Sequence, residues 1–255
     1  MNGVRIRMIF CDVDGTLLPH GDKAVCDDVF NAINCAVSSS VHICIASGRS
    51  YPDLKRLFAP VVNDVTFICN DGSLMVKHNK ILFSSPLNKS QVACMSKTYK
   101  NDYEALIIYT KDCTYYISDT KEFDFAKKIA PENISSVSGD IFKVAFYKLS
   151  QKAKIKLDNL GVKSGVLNRI YEDSLWTEYI TAQTDKGTAA KILQNTYGVS
   201  PGETAAFGDN LNDLNMLRCA QFTYAPENAN PKVIRMCKFK TADVNNEILN
   251  IISES

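Results

Sequence analysis

The chain reads as an α/β protein, a doubly wound, mainly parallel sheet interrupted by an inserted α+β module. Two observations predict it. Short unbroken apolar runs alternate with stretches of helical periodicity at both ends of the chain, which implies parallel strands, right-handed crossovers and a sheet covered on both faces. From about Asn88 to Tyr179 that rhythm gives way to strand-like runs joined by short links, which pair antiparallel. At 255 residues and 45% hydrophobic, the chain can bury a sizeable core in one large domain or two ordinary ones.

The first run, Ile6 to Cys11, delivers Asp12-Val13-Asp14-Gly15-Thr16-Leu17-Leu18. Side chains of an extended segment alternate, so Asp12 and Asp14 project to one side while Val13 points away. Two close carboxylates repel unless a cation sits between them, and oxygen ligands on a tight turn suit magnesium. Taken alone, the stretch reads equally well as an acidic surface turn closing a strand. Asp22 to Ser39 follows with Val25, Val29, Ile33 and Val37 on one helical stripe. Val41 to Ala46 is a second strand, ended by Ser47-Gly48-Arg49, and Val65 to Cys69 a third, ended by Asn70-Asp71-Gly72. Between them Ser50 and Pro52 fit the cap and first turn of a short helix. Parallel strands end on a common edge, where open α/β sheets bind ligands, so Asp12, Asp14, Ser47 and the Asn70 turn converge there.

In the middle stretch, Ala105 to Thr110 and Cys113 to Ser118 form a hairpin across Lys111-Asp112. Further strands are predicted at Ile141 to Leu149, Val166 to Glu172 and Leu175 to Ile180, with helices near Phe123 to Ala130 and Gln151 to Leu160. The doubly wound pattern resumes as Asp185-Lys186-Gly187 opens a helix that stops at Gly198. Thr204 to Phe207 is the next strand, and Gly208-Asp209-Asn210-Leu211-Asn212-Asp213 leads into another helix. Two edge strands, around Thr223 and Phe239, flank a helix started by Pro231. Residues 1–85 and 184–255 are therefore expected to form the core and 86–183 the insertion.

With 29 basic against 28 acidic residues, broad attraction to nucleic acid or an anionic membrane is not expected. No stretch approaches the apolar length of a membrane span and no signal-peptide core precedes the first strand, so the expected location is the cytoplasm. Nine cysteines, none spaced Cys-x-x-Cys, read as reduced core thiols, with Cys11, Cys44 and Cys69 inside apolar runs. His20, His42 and His78 lack the spacing of a zinc site.

Lys186 is the most informative residue after the paired aspartates, because a cation in the first turn of a helix opposes the macrodipole and calls for an anionic partner. Beside a carboxylate nucleophile and a phosphate, its ammonium would neutralise and orient both. Ser47 and Gly48, at a strand end, offer a hydroxyl and bare amides to phosphate oxygens. Asp209 and Asp213, four apart at a helix start, suit a metal ligand and its support, although Asn210 or Asn212 could simply cap that helix.

In this order, Asp12 to Leu18, Ala46 to Arg49, Asp185-Lys186-Gly187 and Gly208 to Asp213 resemble the four motifs of the haloacid dehalogenase superfamily of phosphatases. The length of the insertion matches its Cof-like, type IIB group, with a Rossmann-like core and a large α/β cap. Two departures stand out: the Asn-Gly usual after the third strand reads Asn70-Asp71-Gly72, leaving open which residue faces the site, and the family's C-terminal Gly-Val is absent near Asn245.

The resemblance implies a magnesium-dependent phosphomonoester hydrolase for small phosphorylated metabolites such as sugar phosphates. Asp12 would be the nucleophile that forms an aspartyl-phosphate, already ionised at an ordinary pKa of about 3.9. Asp14 would protonate the leaving oxygen and then deprotonate water. Asp12, Asp14 through its backbone carbonyl, and Asp209 would hold Mg2+, with Asp213 orienting that site. Ser47, Gly48, Lys186, Asn212 and the Val13 amide would bind phosphate. The rivals are a sugar phosphomutase and a catalytically idle binding or regulatory protein on the same scaffold; a dinucleotide enzyme fails for want of Gly-x-Gly-x-x-Gly. The motifs do not specify the metabolite, the cap residues that select it or the oligomeric state.

Overall fold

The structure, a computed structural model, describes residues 4–254. β1 (Met8–Asp12) is buried along its whole length, as a strand covered on both faces must be. α1 (Asp27–Ser38) leads to β2 (His42–Ala46), and α2 (Tyr51–Leu57) to β3 (Thr66–Cys69). Ser50 caps α2 by accepting from the Asp53 N–H, while Val25 lies just ahead of α1. A hairpin that the apolar runs did not reveal follows, β4 (Leu74–Lys77) and β5 (Lys80–Ser84). It turns through His78 and Asn79 at φ 50° and 60°, the hand that matches strand twist.

The insertion starts with α3 (Lys89–Thr98), β6 (Ala105–Tyr109), β7 (Thr114–Ile117), β8 (Lys127–Lys128) and β9 (Lys143–Tyr147). It continues through α4 (Gln151–Leu157), β10 (Leu167–Glu172) and β11 (Trp176–Thr181). The chain then returns through α5 (Lys186–Tyr197), β12 (Thr204–Phe207), α6 (Leu214–Leu217) and β13 (Phe222–Pro226), and ends with α7 (Pro231–Met236), β14 (Phe239–Thr241) and α8 (Val244–Ser253).

The first sheet has the order β14-β13-β12-β1-β2-β3-β4-β5, parallel as far as β3 and antiparallel at β4 and β5. The second, β10-β11-β9-β6-β7-β8, is antiparallel except for β7 with β8. Alternation along β1 sorts its side chains between two cores. Ile9 and Cys11 pack with the apolar faces of α1 and α8, and Met8 and Phe10 with those of α5 and α6. Each large side chain so buried is worth roughly 1.5–3 kcal/mol, which is why the sheet centre is the rigid part from which the strand ends project. The two ends of the insertion lie together, Ser85 Oγ being 3.4 Å from Thr181 Oγ1, and just inside the first end Leu87 N–H donates to Ile141 O, ahead of β9, at 2.7 Å.

Three expectations need correction. Phe123 to Ala130 is not a helix: Phe123 is drawn into an aromatic cluster with Tyr116, Tyr147 and Trp176, and Lys127–Lys128 pairs with β7. Burial of the ring overrides the local preference. β13 is not an edge, since β14 covers it. Cys11, Cys44, Cys69 and Cys219 are buried thiols, but Cys26, Cys35 and Cys94 are exposed on helix or loop surfaces. Among the described residues no helix is long and apolar enough to cross a membrane.

At the lower end of the first sheet Glu203 accepts from Ser200 N–H and Oγ and from Arg7, which together hold its carboxyl down from an ordinary 4.5 to about 2. A depressed carboxyl contributes stability that is present above the unfolded value and lost as pH falls from 4.5 toward 2. Thermal melts of the wild type and Glu203→Gln should therefore differ at pH 6 and converge by about pH 2.

Candidate active site

The strand ends of the first sheet bring together residues from four distant segments. Lys186 opens α5 and is 1% exposed; its Nζ donates to Asp12 Oδ1 at 2.5 Å and to Asp213 Oδ1 at 2.7 Å. The anion that compensates this first-turn lysine is therefore a pair of carboxylates from elsewhere in the chain. Its neighbour Asp185 instead caps the helix, accepting from Thr188 N–H. Asp213 is used completely, its other oxygen accepting from the Asp209 and Asn210 N–H groups at 3.1 and 3.0 Å. The glycines permit this crowding. A Cβ on Gly15, at φ +91°, would lie 2.4 Å from Asp209 Oδ2, and one on Gly187 would lie 2.6 Å from the Asn215 backbone.

Asp12, Asp209 and Asp213 are all buried, with one carboxylate oxygen of each within 4.8 Å of the others. Burial, then the charge of Asp213, pushes the Asp12 carboxyl well above the usual range against the pull of Lys186, and the same two causes raise Asp209. Asp12 is thus not the ordinary carboxylate expected from sequence. Burial opposes the Lys186 charge, but Asp12 and Asp213 outweigh it and hold the ammonium above the normal lysine range. Three buried carboxylates face one ammonium, and the remaining charge of about two is what a divalent cation with hard oxygen preference would supply. The donor set fits such an ion.

Asp14 stands apart from that cluster. Its carboxylate takes a two-pronged contact from Arg49, Nε at 2.8 Å and Nη2 at 2.6 Å, so the shared side predicted for Asp12 and Asp14 does not bring their carboxylates into one metal cluster. Ser47 is buried and its Oγ accepts from Arg49 N–H at 3.1 Å. Asn70 and Asp71 both adopt the left-handed region, at φ 48° and 54°. Asp71, not Asn70, lines the cavity, and its Oδ1 accepts from Asn212 Nδ2 at 2.9 Å.

These groups floor a cavity of about 500 Å³ whose opposite wall comes from the second sheet. Asp12, Asp14, Ser47, Gly48 and Asn212 line it, while Lys186, Asp209, Asp213 and Val13 stand behind that surface. Sequence reasoning gave no role to Arg49 and missed His20, Asp53, Tyr109, Lys143, Ile170, Tyr171 and Glu178, all of which line the cavity. Arg49 was legible from its place beside Ser47-Gly48; the residues of the insertion carry no local signal.

A profile of the haloacid dehalogenase-like hydrolases matches residues 9–251. The chain is 24% identical over 265 residues to 5-amino-6-(5-phospho-D-ribitylamino)uracil phosphatase YbjI of Escherichia coli K12, covering 98% of this chain and 96% of that one. Among solved structures, phosphatase BT1666 of Bacteroides thetaiotaomicron superposes with a TM-score of 0.82 at 22% identity, covering 98% and 96% of the two chains. The subclass IIB sugar phosphatase BT4131 gives 0.78 at 16%, covering 96% and 98%. These two share the fold, core and insertion together. With the family profile spanning both halves of the core and everything between, the chain belongs to the haloacid dehalogenase-like hydrolases and is a phosphatase of the group that carries an inserted α+β cap.

Proposed function

We propose that this phosphatase releases inorganic phosphate from small phosphomonoesters whose leaving group is a neutral, hydroxyl-rich alcohol such as a sugar. The observation that carries the reading is Asp12 at the end of β1, held by the buried Lys186 ammonium at 2.5 Å and facing a cavity roofed by the insertion. In this reading residues 86–183 are the cap and 1–85 with 184–255 the catalytic core.

An Asp12 oxygen attacks phosphorus as the bond to the leaving oxygen breaks, giving an aspartyl-phosphate, and Asp14 turns from Arg49 to protonate the departing alkoxide. Water then attacks the same phosphorus, Asp14 takes its proton, and phosphate departs with Asp12 restored. Lys186 draws charge from the carboxylate and the phosphoryl oxygens throughout. Ser47 Oγ, Gly48 and Val13 N–H and Asn212 Nδ2 take the other oxygens, and Asp213 keeps Lys186 and the Asp209 loop in place. A divalent cation such as magnesium, held by Asp12, Asp209 and the Asp14 carbonyl, would supply positive charge against the repulsion between carboxylate and phosphate.

Charge in the cavity supports the choice of leaving group. Arg49 and Lys143 are each matched in charge by a carboxylate, Asp14 and Glu178, while Asp53 and Asp71 add further acceptors. A second phosphate would meet more carboxylates than free cations, whereas sugar hydroxyls would find acceptors, and Tyr109 and Tyr171 offer flat walls. A phosphorylated ribityl group, the kind of substrate named for YbjI, has the same character.

Phosphate release with magnesium should favour sugar and polyol phosphates over nucleoside polyphosphates and sugar bisphosphates, read with a phosphate-detection assay across such a panel; interconversion of sugar phosphates without release would favour a mutase. Asp12→Asn should reduce turnover by about a thousandfold or more while the far-ultraviolet spectrum stays unchanged. Activity within about tenfold of wild type would sink the nucleophile assignment.

Divalent cation should raise the melting temperature, equivalent to about 2.7 kcal/mol when the ion is at a hundred times its Kd, and EDTA should reverse it. Because Asp12 and Asp209 are raised, protons compete with the ion, so the increment should shrink as pH falls. Asp209→Asn should reduce it, as melts with and without the ion would read.

A further inference from the structure

We propose that Lys143 is the positioning residue through which the cap aims the Ser47 hydroxyl at the substrate's phosphate, acting across the Gly48–Arg49 peptide. The inference rests on the phosphatase reading above, in which Ser47 binds phosphate.

Lys143 starts β9 in the cap and is 4% exposed. Its Nζ donates to Gly48 O, on the core loop, at 2.7 Å and to Glu178 Oε2 at 2.8 Å, and lies 4.6 Å from the centre of the Tyr109 ring. A buried ammonium must have its protons placed, and here two strong acceptors and a π face take them. The Gly48 carbonyl and the Arg49 N–H belong to one rigid peptide plane, and that N–H donates to Ser47 Oγ at 3.1 Å. A cation on the carbonyl fixes the plane and strengthens the N–H as a donor. A hydroxyl that accepts from an N–H directs its own proton elsewhere, which leaves the Ser47 O–H for a phosphate oxygen.

The contact depends on the cap being seated. Phe142, one residue earlier, is 1% exposed and packs in the core cluster of the first sheet, and Lys111 Nζ reaches Asn79 Oδ1 at 3.3 Å. Seating the cap and arming Ser47 are then one event. A substrate that the cap cannot close over would meet a phosphate site with its hydroxyl unaimed.

The test is a double-mutant cycle on Ser47→Ala and Lys143→Met, read by calorimetric titration of inorganic phosphate in the presence of magnesium. Each single variant should weaken phosphate by about tenfold, and the double variant by no more than about twofold beyond the worse single. Lys143→Arg, which keeps a cationic donor, should recover part of the loss. Losses that multiply in the double variant, or a Lys143→Met protein that binds phosphate as wild type does, would overturn the proposal, as would a wild type that binds none. If Lys143→Met does not fold, Glu178→Gln, which weakens the anchor that holds the Lys143 ammonium in place over the Gly48 carbonyl, should show a smaller loss that also vanishes on Ser47→Ala. Kinetics add a second arm. Lys143→Met should lower kcat/KM alike for p-nitrophenyl phosphate and a sugar phosphate, whereas a loss confined to the sugar phosphate would mean that Lys143 reads the leaving group instead. Phosphate binding by a wild type that turns over no phosphomonoester would defeat the parent reading and still let the cycle decide on Lys143.

Discussion

The Lys186 ammonium is the interaction on which the site's construction depends. It ties the end of β1 to the start of α5 and to the turn before α6, and Asn215 Nδ2 on Asp185 and Thr16 Oγ1 on Asp209 join the same segments at the rim of the cluster. Removing one partner from such a buried cluster leaves a charge without compensation, at a cost of about 3–5 kcal/mol. The requirement spreads outward. Gly187 is bare because α5 must approach the Asn215 backbone, and Gly208 because the Asp213 side chain lies against it. Asp213 in turn organises the Asp209 loop through two N–H groups. A single buried cation thus explains small residues and short turns that would otherwise look incidental.

The core was legible in sequence to the extent that its signals are local. An unbroken apolar run followed by Asp12-Val13-Asp14-Gly15 marks a strand end, and Asp185-Lys186-Gly187 marks a helix start whose lysine needs an outside partner. Both are properties of a few consecutive residues. The β4–β5 hairpin was missed because its turn uses His78 and Asn79 instead of a glycine, and α8 because its apolar stripe sits in a short amphipathic tail beside α1. The cap wall was illegible for a different reason. Lys143 lies opposite Tyr109 by the register of β9 with β6, and Glu178 reaches Lys143 from β11, so the pair exists only once three strands are aligned. Then the whole sheet must settle over the core before Gly48 comes within reach.

The turn after β3 shows how an open question in the sequence is decided by backbone strain. Two consecutive residues in the left-handed region cost roughly 1–3 kcal/mol each, and the Asn70 side chain is buried with neither polar atom partnered among the described residues. Backbone bonds from Asn70 N–H to Arg49 O and from Asp71 N–H to Ser47 O, both 3.0 Å, hold the turn against that cost. The result couples the loop that carries Ser47 to the one that carries Asp71, and Asp71 to Asn212. Three of the groups facing the cavity are therefore set by one strained turn, and none of them can shift alone.

The meeting of Ser85 with Thr181 at the two ends of the insertion has a further consequence. For a segment whose ends are already fixed side by side by its host, the entropy of closing the loop is set by the host and grows only slowly with the segment's length. Nearly a hundred residues can then hang from the β5 edge without weakening the sheet beneath. The two stretches of backbone that carry them run side by side as a paired strap. The Asp12, Lys186 and Asp213 cluster is built from core residues and can stay constant while the roof is enlarged, trimmed or exchanged, provided that a donor to Gly48 O remains. Chemistry and choice of substrate are then free to change at different rates.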